Sequence, residues 1–150
     1  MNQNIARDSF VDACMSFIFA VNEYEKNGRP THSEWRECIS KMCTIHFEFG
    51  NWISRNNKIN EYTLDVYTTS GECLAHELKQ LDEWAKVEAI YHNMVWIYKD
   101  SASEIDQDLL DYFQEQEKEA HFNKNEQKSL GCFGCLGILI VVGILYKILF

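Results

Sequence analysis

The strongest constraint on this chain is its run from Leu130 to Phe150, LGCFGCLGILIVVGILYKILF, in which Lys147 is the only charged residue. At ~1.5 Å of rise per residue, a helix of this run is about 31 Å long and matches a hydrocarbon layer of roughly 30 Å. A helix buried in a small core needs one apolar stripe and a polar face, whereas this run is apolar all round. Residues 130–150 are therefore expected to form a membrane-spanning helix, and residues 1–129 the body that it holds.

That body is one domain in length and strongly acidic. Without Lys147 it carries 13 basic and 23 acidic side chains, a net charge of −10. Nucleic acid is excluded as a partner on this balance, because affinity for it rests on lysine and arginine neutralising phosphate. The first apolar run, Ala13 to Val21, follows Asp8 and Asp12 and precedes Asn22 and Glu23. It lacks the basic start and small-residue cleavage site of a signal peptide. The expected topology is a single-pass tail anchor. Lys118, Lys124 and Lys128 stand ahead of the span and Lys147 at its far end, a bias that keeps the body cytosolic. In that compartment the six cysteines (14, 38, 43, 73, 132 and 135) read as free thiols or ligands rather than disulfides.

Hydrophobic spacing predicts an all-α fold, a small antiparallel bundle of about four helices over residues 1–113. Phe10, Cys14, Phe17, Ile18 and Val21 share one face of a first helix that stops at Asn27 and Gly28, with Pro30 at its exit. Thr31 to Glu34 reads as a capping box, and Trp35, Ile39, Met42, His46, Phe49 and Ile53 form the stripe of the helix behind it. Residues 59–68 fit a strand or a short helix. A second box at Thr69 to Glu72 is expected to open a long helix with Leu74, Leu78, Leu81, Ala85, Glu88, Tyr91, Val95 and Tyr98 inward. A third, Ser101 to Glu104, is expected to open a helix burying Ile105, Leu109, Tyr112 and Phe113. Residues 114–129 are almost wholly polar and are expected as a helical stalk or linker.

Few constellations carry chemistry. Cys43 and His46, and Cys73 and His76, repeat one Cys-x-x-His spacing, and two such pairs on facing helices would make the S₂N₂ set that zinc accepts. Buried thiols beside hydrogen-bonded histidines are the plainer explanation, so no catalytic residue, cofactor or metal is assigned. Glu72 with His76, and Glu88 with His92, stand four apart as an acid and base would, and such pairs are common on solvated helix faces. The run Glu104, Asp106, Asp108, Asp111, Glu115, Glu117, Glu119 likewise reads as a solvated face or a dock for a basic partner. Cys132 and Cys135 are placed for small-residue packing or acylation at the bilayer surface. Gly131, Gly134, Cys135 and Gly137 fall on one side of the span, a smooth face on which a second span could pack to form a homo-oligomer.

The segment His46-Phe-Glu-Phe-Gly50, followed by Asn51, Trp52 and Arg55, resembles a local motif of Bcl-2-type apoptosis regulators, which are also helical and tail-anchored. The order of its two halves is inverted here, Ser54 stands where those proteins carry glycine, and no residue role is carried over. The expected function is a non-enzymatic, membrane-tethered helical module that binds a protein partner, of the regulator, adaptor or immunity type. The alternative expectation is an effector whose spans assemble and perturb the bilayer.

Overall fold

The computed structural model describes residues 3–28, 32–56, 60–102 and 105–127, which form five helices and, among the described residues, no strand. They are α1 (Gln3–Asn27), α2 (His32–Arg55), α3 (Glu61–Gln80), α4 (Trp84–Ser101) and α5 (107–127). The helical-bundle expectation holds. No helix among the described residues is long and apolar enough to cross a membrane, and residues 130–150 lie outside them.

The bundle is built around α3. It packs against α1, α2 and α4, and eleven of its twenty residues are buried, which leaves one narrow exposed stripe through Tyr62, Asp65, Thr69, His76 and Gln80. Its inward residues include Leu64, Tyr67, Leu74 and Leu78. The stripe expected on α2 is buried throughout, from Trp35 to Ile53, and on α1 Cys14, Phe17 and Val21 are inward while Phe10 and Ile18 are half-buried. Gly28, at φ +91°, closes α1 in the left-handed region, and its amide donates to the Tyr24 carbonyl.

Two of the three expected helix starts move, and one expected helix divides. Residues 61–68 are helical, and α3 begins behind Asn60, whose Oδ1 accepts from both the amide and the hydroxyl of Thr63. Thr69 to Glu72 therefore lies inside α3 and caps nothing. The long helix expected from residue 72 breaks at Leu81 to Glu83, where Asp82 adopts φ 57°. There the Asp82 amide donates to the Lys79 carbonyl and the Glu83 amide to the Leu78 carbonyl, the paired bonds of a Schellman turn. The break resets the register of α4, which buries Val87, Ile90 and Met94 as well as Tyr91, Val95 and Tyr98, and leaves Ala85 exposed. Ser101 ends α4 rather than starting a helix; α5 is capped by Asp106, whose Oδ1 accepts from the amides of Asp108 and Leu109.

Helix α5 lies along α3 and α4. Leu110 and Phe113 are buried, with the Phe113 ring 6.0 Å edge-on from Tyr98 and 6.5 Å from Tyr91, while Ile105 and Tyr112 are exposed. Within the segment expected as a stalk, residues 114–127 continue this helix and stay on the body, held by Ala120 and a row of polar contacts.

Candidate functional site

The four thiol and imidazole groups of the two Cys-x-x-His pairs fall in different environments. Cys43 and His46 are buried on α2, Cys73 is half-buried on α3 and His76 is exposed. No group of three or more His, Cys, Asp or Glu side chains stands in metal-binding geometry among the described residues. His46 Nε2 is instead 3.1 Å from the Tyr67 carbonyl, and burial pushes its pKa down to about 4, so the ring is neutral. The thiol of Cys14, beside Ser70, is pushed up to about 11 by burial. Neutral, enclosed groups of this kind make a polar knot in the core rather than a nucleophile and its base.

A second polar centre links α3 to α4 and α5. Tyr112 donates through its hydroxyl to Glu72 Oε2 at 2.9 Å, and burial raises the Glu72 carboxyl, an effect partly offset by the Tyr112 and Tyr91 hydroxyls beside it. Two turns further along α3, Lys79 reaches Gln116 Oε1 at 2.6 Å and Glu119 Oε2 at 2.9 Å. Its ammonium also stands 5.9 Å from the Trp84 ring centroid and 5.8 Å from that of Tyr91.

Among the described residues, the seam between α4 and α5 is open to solvent. Each helix carries a Glu and a His four residues apart, Glu88 with His92 and Glu117 with His121, and because the helices run antiparallel they bond crosswise. His92 Nδ1 is 2.8 Å from Glu117 Oε1, and His121 Nδ1 is 2.6 Å from Glu88 Oε1. Lys124 also donates to Glu88, whose carboxyl is held below its ordinary pKa by Lys124 and His121. Two clefts flank this crossing and share Glu88 and Glu117. One, of about 400 Å³, is lined by Val95, Lys99, Gln114, Lys118 and His121; the other, of about 270 Å³, by Ala89, His92 and Asn93.

Of the acid-base pairs expected within one helix, Glu88 and His92 are split between partners on α5, and Glu72 turns to Tyr112. The spacing of each Glu–His pair is visible in the sequence; their crosswise pairing is not. The acidic run on α5 is partly consumed inside the molecule, Asp106 as a cap, Glu117 on His92 and Glu119 on Lys79. Gly131, Gly134, Cys135 and Gly137 lie outside the described residues. No family model, curated protein or solved structure matches the chain.

Proposed function

We propose that this protein is a non-enzymatic, membrane-tethered helical interaction module, with an acidic bundle held at the cytosolic face of a membrane by residues 130–150 and engaging a protein partner. The observation that supports this reading is the junction between the two parts. Helix α5 is fastened to α3 and α4 through residue 127, and three residues later begins a 21-residue run with one charge. On this reading the packed helix α5 ends at residue 127, close in sequence to the start of the span. Pairing of spans through Gly131, Gly134, Cys135 and Gly137 belongs to the same proposal.

The test is alkaline carbonate extraction and vesicle flotation of the full chain. The protein is expected to stay with lipid, and a variant with Ile140→Lys and Leu145→Lys to be released. Recovery of the intact chain in the carbonate supernatant overturns the tether. If the detergent-solubilised protein is a ring-sized oligomer and its expression collapses the membrane potential, the module reading gives way to the membrane-perturbing effector.

A further inference from the structure

Helix α5 is held in two different ways along its length. Its first half buries Leu110 and Phe113 and wedges Leu109 partly beneath the surface. From residue 114 to 127 the only fully buried side chain is that of Ala120. Polar contacts fasten this half to the body: Gln116 and Glu119 with Lys79, Glu117 with His92, His121 and Lys124 with Glu88, and Gln127 with the Asp82 carbonyl. The seam under it is incompletely filled, since both clefts open beside Glu88 and Glu117.

These two grips respond differently to conditions. Burial of a leucine and a phenylalanine is insensitive to simple salt at moderate concentration, whereas hydrogen-bonded ion pairs at a surface are screened once the Debye length falls to about 3 Å in 1 M salt. His92 and His121 are largely exposed, Lys79 and Lys124 less so, and all four meet carboxylates of the facing helix. The charges around them are mixed: Glu88 on α4, Lys99 at its far end, Glu117, Lys118 and Glu119 on α5 and Lys79 on α3.

We propose that residues 114–127 are a releasable electrostatic strap: they close the α4–α5 seam while their ion pairs are intact and lift from α3 and α4 when those pairs are screened, with 107–113 staying docked. Because the run 130–150 begins three residues beyond it, the strap sets whether the bundle is clasped to its tether or held on a loose lead, and this role rests on the membrane reading above. The strap itself does not.

The experiment is hydrogen–deuterium exchange on the full chain in lipid nanodiscs, at low and at about 1 M salt, for the native protein and for Glu88→Gln, which removes the charge that holds His121 and Lys124. Amides of 114–127 are expected to exchange roughly tenfold faster at high salt, and in Glu88→Gln already at low salt, while 107–113 and α3 keep their protection. Glu37→Gln, which breaks the exposed pair with Lys41 on α2, is expected to leave 114–127 unchanged. Exchange of 114–127 that ignores both salt and Glu88→Gln overturns the strap, as does acceleration of all five helices together. Flotation of the same sample reports on the tether separately, and a chain that fails to enter nanodiscs is measured lipid-free by the same comparison.

Discussion

The imidazole of His46 lies flat on the phenol ring of Tyr67, with centroids 4.3 Å apart and planes 11° from parallel, and its Nε2 is 3.1 Å from the carbonyl oxygen of that same residue. A carbonyl only accepts, so Nε2 carries the hydrogen and Nδ1 the lone pair. Nδ1 and the Tyr67 hydroxyl have no hydrogen-bond partner among the described residues. A proton added to Nδ1 would therefore be a buried charge with nothing to compensate it.

The stability consequence has a definite sign. The unfolded chain takes up this proton below the ordinary histidine value of 6.5, whereas the fold resists it down to about 4. Between those values the unfolded state binds more protons, so the contribution of His46 is complete above about pH 6.5 and is lost as the pH falls toward 4, by up to ~3 kcal/mol. Urea titrations across that window are expected to show this loss in the native protein and a flatter profile in His46→Gln. Parallel profiles would refute the account.

Gly71 stands against the same imidazole, at its Nε2 edge. A Cβ at this position would lie 2.8 Å from His46 Nε2 and 2.4 Å from the Met94 sulfur. Methionine can move aside, but the imidazole is fixed by its stacking and its bond to Tyr67. Alanine in mid-helix ordinarily gains ~1 kcal/mol over glycine, and here overpacking of about 1–3 kcal/mol is expected to win. Gly71→Ala is thus expected to lower the urea midpoint despite its better helix propensity, and a raised midpoint would show that the α2–α3 contact is looser than these distances.

The legible part of this fold is the part that local periodicity fixes. Every member of the α2 stripe from Trp35 to Ile53 is buried, because spacing at three and four residues selects one helix face wherever the helix starts. Helix limits were harder to read. Thr69 to Glu72 has the composition of a capping box, yet Asn60 has already started the helix, and Ser70 and Gly71 are buried against its neighbours. The turn at Leu81 to Glu83 carries neither glycine nor proline, so nothing in its composition signals the break that shifts the register of α4. The α4–α5 crossing depends on which helices are adjacent, and a sequence pattern holds no such information; Glu88, His92, Glu117 and His121 are each visible as half of a pair within one helix.

Trp35 donates its indole N–H to Glu77 Oε2 at 2.7 Å, with both residues buried, and its ring meets Tyr24 edge-on at 4.9 Å. Phenylalanine keeps most of the aromatic surface and removes the donor. Leaving a buried carboxylate short of a hydrogen bond costs about 1–3 kcal/mol. Trp35→Phe is expected to lose that amount in the native background and markedly less when Glu77 is first replaced by Met. A double-mutant cycle by urea denaturation measures the difference, and a coupling below about 0.5 kcal/mol would mean that the contact is incidental.

Asp82 occupies the left-handed C′ position of the turn between α3 and α4, at φ 57°. A side chain with a Cβ pays roughly 1 kcal/mol there, less for aspartate than for most, and glycine pays none. The turn's contacts run through its backbone: the amides of residues 82 and 83 reach Lys79 and Leu78, and the Asp82 carbonyl accepts from Gln127 Nε2 at 3.0 Å. Glycine keeps all of these. Asp82→Gly is therefore expected to raise stability by about 0.5–1 kcal/mol, although glycine also widens the unfolded ensemble and trims part of the gain. Asp82→Val, whose branched Cβ is least tolerant of positive φ, is expected to lower it by more than 1 kcal/mol. Thermal unfolding of the three proteins tests the order Gly above Asp above Val, and any other order would place the residue 82 backbone outside the left-handed region.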